Sequence, residues 1–256
     1  MKKFLVALLC CFVTSANASF WSDLWWNPNE SGWGLTLTHQ DKVIFATLYV
    51  YGSDGRPTWF VASDMAYDGT TSYSGALYQT SGPFYSGAFN PSAVGVTQVG
   101  TATFTPQTEA QGTFVYTVNG IAISKTITRQ TFKSPNITDV WQGVYRYNAT
   151  GCSLSSSNGI FNEVVVMDTS DTGTIVSGTL YRGSQAGCTF SGTKTTFGKI
   201  LDVDGTYSCP SGENGTLSIF NGEYLTTALS IRLQLKSSTN GCFFDGFMGA
   251  TTSGSF

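Results

Sequence analysis

His39 is the one imidazole in the chain. Acting as a general base it would need a carboxylate to orient it, and Glu30 and Asp41 lie near it in sequence. It is also in phase with Leu35 and Leu37 at the end of a strand, which suits a structural or surface histidine. Paired carboxylates are the second route to chemistry. Asp202-Val203-Asp204 puts two acids on one strand face, about 7 Å apart, a spacing compatible with glycoside hydrolysis. Ahead of Gly205 the same pair suits a solvated strand face. Asp64 and Asp68 are open to either reading. No G-x-S-x-G elbow occurs. One histidine cannot build a multi-histidine metal site, and no D-x-D-x-D-G calcium loop is present. Cys152, Cys188, Cys209 and Cys242 show no C-x-x-C pair. In an exported chain their even number reads as two disulfides, which leaves no thiol as a nucleophile. No catalytic residue, metal or cofactor is therefore assigned.

Binding is the richer prospect. Trp21, Trp25, Trp26 and Trp33 crowd into Trp21-Ser22-Asp23-Leu24-Trp25-Trp26-Asn27-Pro28-Asn29-Glu30-Ser31-Gly32-Trp33. Large rings can plug the end of a β-barrel and add aromatic packing. They can also stack on sugar rings or grip an apolar ligand, with neighbouring polar groups orienting it. Trp25, Trp26, Asn27, Asn29, Glu30 and Trp59 are the candidate ligand-binding residues, and Pro28 and Gly32 predict an irregular path between them.

These residues need elements to position them. The chain of 256 residues carries 13 Lys+Arg against 16 Asp+Glu, a net charge of -3, with 14% aromatic and 11% charged residues. Aromatic and β-branched residues are too abundant for disorder. The charge balance does not suit nucleic acid. Residues 1–18 read as a secretory signal peptide: Lys2 and Lys3, an apolar run from Phe4 to Val13, and an Ala16-Asn17-Ala18 cleavage site. That run is too short to span a bilayer. The expected location is the periplasm or the cell exterior.

Beyond the signal, all four cysteines follow residue 150. Lys133-Ser134-Pro135-Asn136 punctuates the chain, so the expected modules are 19–135, without cysteine, and 136–256, with two disulfides. Both are all-β. Short alternating runs recur between turn signals, with no helical period in any long window. In the first module the runs are Gly34–His39, Val43–Tyr51, Thr58–Ser63, Ser72–Gln79, Val99–Thr105, Gly112–Val118 and Ile121–Gln130. Asn119-Gly120 is a strong hairpin signal. In the second they are Gly143–Tyr147, Glu163–Asp168, Ile175–Arg182, Cys188–Thr193, Ile200–Ser208, Gly215–Phe220, Leu225–Leu235 and Cys242–Met248. The fold expected is two tandem antiparallel β-meanders, each a small up-and-down barrel (calycin-like) or a sandwich. Closure hides strand edges, and an eight-stranded barrel can hold one small ligand.

Ser74-Gly75-Ala76-Leu77-Tyr78 recurs as Ser177-Gly178-Thr179-Leu180-Tyr181. The same shift relates Gly112-Thr113-Phe114 to Gly215-Thr216-Leu217, and a similar one relates Trp33 to Trp141. This predicts a tandem duplication. Cys188 and Cys209 flank Gly198 symmetrically, so a hairpin there would join them and leave Cys152 to pair with Cys242; spacing alone permits three connectivities.

The string W-W-N-P-x-E-S-G-W-G at Trp25 to Gly34 resembles an uncharacterised family of exported bacterial β-rich proteins. So do the D-G-x-P-x-W turn at Asp54 to Trp59, the S-G-x-L-Y-x-T-x-G-P stretch at Ser74 to Pro83, and K-x-I-T-R-Q at Lys125 to Gln130. The resemblance covers roughly residues 20–133 and implies export and module limits, but no activity. Calycin-type barrels are similar in having a Trp before the first strand covered by an Arg from the last. Arg129, in phase with Ile121, Ile123 and Ile127, is on that basis expected to stack on Trp33, although Lys125 shares its face. The expected function is an exported binding protein for a glycan or a small apolar ligand. The alternatives are a glycan-directed hydrolase and an outer-membrane barrel. Terminal Phe256 suits the latter; small, polar Gly249 to Ser255 does not suit a lipid-facing strand.

Overall fold

The computed structural model describes residues 21–183 and 186–252. The proposed signal peptide lies outside the described residues. The described chain forms two closed antiparallel barrels in tandem, each of eight strands joined in sequence order. The first contains β1 (Asp23–Trp26), β2 (Gly34–Gln40), β3 (Val43–Tyr51), β4 (Pro57–Tyr67), β5 (Tyr73–Ser81), β6 (Gly95–Pro106), β7 (Gln111–Val118) and β8 (Ile121–Arg129). The second contains β9 (Asp139–Thr150), β10 (Gly159–Asp171), β11 (Ile175–Arg182), β12 (Cys188–Phe197), β13 (Ile200–Ser208), β14 (Asn214–Leu225), β15 (Ala228–Ser237) and β16 (Phe243–Thr252).

Alternation drives closure. On β2, Leu35, Leu37 and His39 turn inward while Thr38 and Gln40 face solvent. On β12, Phe190, Gly192 and Lys194 are buried and Ser191, Thr193 and Thr195 exposed. Each barrel thus encloses its own apolar core. Asn119 and Gly120 both take positive φ (50° and 83°), the two-residue turn that matches strand twist between β7 and β8.

Three expectations need correction. The sequence pattern marks no strand before Gly34, yet Trp25 and Trp26 lie on one, while Pro28 to Gly32 do follow the irregular path expected. β1 pairs with both β2 and β8, and this short strand closes the first barrel. Leu225 does not begin the long strand of the second barrel: it ends β14, pairs with Ala228 and leaves Thr226-Thr227 as the turn. The recurring S-G-x-L-Y lies on the fifth strand of one barrel and the third of the other, and G-T-x on the seventh and the sixth. A constant shift therefore does not superimpose the barrels strand for strand, because their strands and loops differ in length. The matching tryptophans are Trp25 and Trp141. Each opens its barrel fully buried, and each donates its indole N–H to the carbonyl four residues earlier, Trp21 at 3.2 Å and Ile137 at 2.9 Å.

The barrels meet end to end. The β12–β13 turn at Gly198 takes a bond from its N–H to Thr131 Oγ1 (2.8 Å) and packs against Asp23 and Arg129 of the first barrel. The opposite end of the second barrel, beside Cys188 and Cys209, is its mouth.

Candidate functional site

The second barrel's mouth is framed by both disulfides. Cys188 is bonded to Cys209 across the β12–β13 ladder, and Cys152 to Cys242 at the start of β16. Beside the Cys188–Cys209 bridge lies a cavity of about 420 Å³. Leu180, Phe190, Tyr207, Leu217 and Leu235, one from each of five successive strands, make its apolar wall together with the Cys188–Cys209 bridge.

Strand phase also places charges there. On β11 the positions facing inward are Val176, Leu180 and then Arg182. On β10, Glu163 shares the face of Val165 and Met167, and Val165 stands opposite Arg182. One diagonal step brings the charges together. Arg182 Nε donates to Glu163 Oε2 at 2.8 Å, and Nη2 donates to Glu163 Oε1 at 3.2 Å and to the Tyr147 hydroxyl at 2.6 Å. Tyr147 in turn donates to Glu163 Oε1 at 2.6 Å. The guanidinium lies 5.0 Å from the ring centres of both Tyr147 and Phe244, a desolvated cation against aromatic faces. Burial would raise the Glu163 carboxyl, but the hydrogen bonds from Arg182 and Tyr147 and the Arg182 charge hold it below its ordinary value. Burial, then the bond to Glu163, pushes the Tyr147 phenol up to about 12. On the far rim the Tyr207 hydroxyl donates to Glu213 Oε1 at 2.9 Å. Burial and then that carboxylate push its phenol up to about 12.

The candidate binding residues of the first barrel are spread over its inner and outer faces. Trp25 is fully buried, edge-on to Phe104 at 5.3 Å. Trp26 points to the other face of β1. Trp59 stands on the outer surface of β4, opposite exposed Tyr49 of β3. Asn27 shapes the β1–β2 turn: its Oδ1 accepts from Asn29 N–H at 3.0 Å, and its carbonyl from Glu30 N–H at 3.0 Å. Glu30 Oε2 accepts from Trp33 Nε1 at 2.9 Å and from Lys125 Nζ at 2.5 Å; these bonds, led by Lys125, lower its pKa.

The arginine expected over Trp33 lies elsewhere. Arg129 stands directly across from Trp25 in the β1–β8 ladder, 4.9 Å from the Trp25 ring and 5.7 Å from Trp21, with Nη1 3.1 Å from Asp23 Oδ2. Lys125 covers Trp33 at 5.5 Å. The reason is closure by β1, which makes Trp25 the residue nearest the last strand.

The residues considered for catalysis lie apart. His39 is buried at the end of the first barrel that meets the second, with Trp21 N–H donating to Nδ1 at 3.4 Å and Nε2 3.2 Å from the Tyr73 hydroxyl; Glu30 is in the β1–β2 turn at the opposite end. Asp202 and Asp204 face outward, accepting from Asn221 N–H and the Ser218 hydroxyl, both at 2.8 Å. Asp68 caps its own loop, accepting from Thr70, Thr71 and Ser72. The Thr70 backbone bond leads in lowering its pKa to about 2.

Sequence reasoning passed over Arg182, Glu163 and Glu213. The usable signal was a charged residue ending each of two alternating apolar runs, in phase with the apolar face.

No family model matches the chain, and no curated protein does. Among solved structures, a protein of unknown function from the DUF3598 family of Nostoc punctiforme matches at 11% identity and a TM-score of 0.27, over 90% of this chain and 96% of that one. A likeness that weak bears on neither fold nor function.

Proposed function

We propose that this is an exported, non-catalytic binding protein, and that its ligand is a small apolar molecule held in the mouth of the second barrel. The observation that carries this is the cavity of about 420 Å³ among Leu180, Phe190, Leu217 and Leu235. Its volume and lining are those of small-molecule sites, and an eight-stranded barrel is wide enough for one such ligand. Two disulfides support export.

A titration with N-phenylnaphthylamine, a neutral dye that brightens in apolar sites, tests the proposal. Saturable binding is expected. It should be lost in Leu217→Trp, which fills the cavity, and kept in Trp59→Ala on the outer surface of the first barrel. The reverse pattern would move the site to the aromatic surface and sink the proposal.

A further inference from the structure

The cavity reading above, on which this inference rests, says nothing of the ligand's polar end. Arg182 does. Its Nε and Nη2 are committed to Glu163 and Tyr147. Its Nη1 donates to no described residue. Among the described residues no buried side-chain nitrogen lacks a partner, so that edge is open, and Arg182 lines the cavity. The guanidinium is held by Glu163 on one side and flanked by the Tyr147 and Phe244 rings. It is a fixed pair of N–H donors beside the apolar wall of Leu180, Phe190, Leu217 and Leu235, the kind of placed polar group that orients a ligand. A donor held in advance needs little ordering when the ligand arrives.

The charge balance decides what the donor accepts. Glu163 already neutralises Arg182 at hydrogen-bond distance. Glu213 adds a second carboxylate to the cavity lining. A ligand carboxylate would be a third anion against one cation, in a region where charges interact more strongly than in water. A ligand ammonium would face the guanidinium. We infer that the ligand is an uncharged amphiphile: an apolar body against Leu180, Phe190, Leu217 and Leu235, with a hydroxyl or carbonyl oxygen accepting from Nη1 of Arg182.

A matched series sharing one ring body tests this by displacement of bound N-phenylnaphthylamine from the full chain. The probes are naphthalene, naphthol, acetylnaphthalene and naphthoate. Naphthol and acetylnaphthalene are expected to displace the dye at about tenfold lower concentration than naphthalene or naphthoate, the size of one hydrogen bond to a charged donor. The paired change Arg182→Met with Glu163→Gln removes both charges together and leaves none orphaned. It should keep dye binding while levelling the uncharged members of the series. Equal displacement by all four probes in the unaltered protein would overturn the inference and leave the cavity standing. So would naphthoate binding tightest. Failure of the dye itself to bind would take down both.

Discussion

Two inward ion pairs in the second barrel show how one residue chemistry serves two ends. Arg182 and Glu163 sit in the mouth and keep a donor edge open. Lys194 and Asp171 sit at the end that meets the first barrel, with side chains 1% and 0% exposed, and their groups are spent on each other and on the backbone. Lys194 Nζ donates to Asp171 Oδ2 at 2.6 Å and to the Pro135 carbonyl at 2.7 Å. Asp171 also accepts from Ile137 N–H at 3.2 Å and Gly173 N–H at 2.8 Å. The pair therefore straps the incoming chain across the barrel end. Removing one partner leaves an uncompensated buried charge, so Lys194→Met is expected to lower the unfolding free energy by about 3–5 kcal/mol. Arg56→Ala, which breaks an exposed pair with Asp54, should cost under about 1 kcal/mol. Urea unfolding of the two variants reads the contrast, and equal losses would deny Lys194 its strapping role. At this scale the sequence was least legible. Arg182 ends a visible alternating run, yet what makes it a site is Glu163 and Tyr147, one on each of two other strands. The aromatic segment drew attention through its composition, which records how much ring surface is present and not which face of a strand each ring takes.

Strand patterns were far more legible, because inward and outward positions alternate with period two whatever the neighbours do. The alternation at Leu229, Ile231, Leu233 and Leu235 stands as read, and so does the Asn119-Gly120 hairpin. Ends were less secure. β1 has four residues, too few for alternation to register, and only its pairing with β2 and β8 defines it. The S-G-x-L-Y motif also has a local cause that duplication does not capture. At Gly75 and at Gly178 an added Cβ would overlap the carbonyl of the preceding strand, at Asp64 and Asp168 respectively. The motif marks a close strand approach in each barrel, at different places in the strand order. Gly178→Ala is expected to destabilise the second barrel by about 3 kcal/mol, in the upper range for single changes, since backbone rather than a movable side chain is struck. Gly173→Ala in the neighbouring turn meets no atom and answers only to its φ of 101°. Thermal melts should rank Gly178→Ala as the more damaging of the two, and the opposite order would mean the strands relax around the new methyl.

For the whole molecule, the uneven placement of cysteine becomes a mechanical difference between two barrels of like architecture. The first has no covalent tie and is closed by strand pairing and by packing around Trp25, Phe104 and Phe114. The second adds two covalent ties at its mouth, closing sequence separations of 90 and 21 residues. In the loop-entropy account such ties contribute roughly 3 to 4.5 kcal/mol each by restricting the unfolded chain. The barrels touch through Gly198 and Thr196 of the second and Thr131, Asp23 and Arg129 of the first, a contact small beside either core. Two unfolding transitions are therefore expected in calorimetry. Reductant should lower one by many degrees and leave the other in place. The surviving transition should carry the near-ultraviolet signal of the first barrel's tryptophans, and it should be insensitive to Leu217→Trp. Dye binding should disappear with the reductant-sensitive transition, because the Cys188–Cys209 bridge forms part of the cavity wall. A single transition that shifts as one on reduction would show that the contact at Gly198 couples the barrels more strongly than its size implies. A mouth that still bound dye after reduction would show that strand pairing alone holds Arg182 against Glu163.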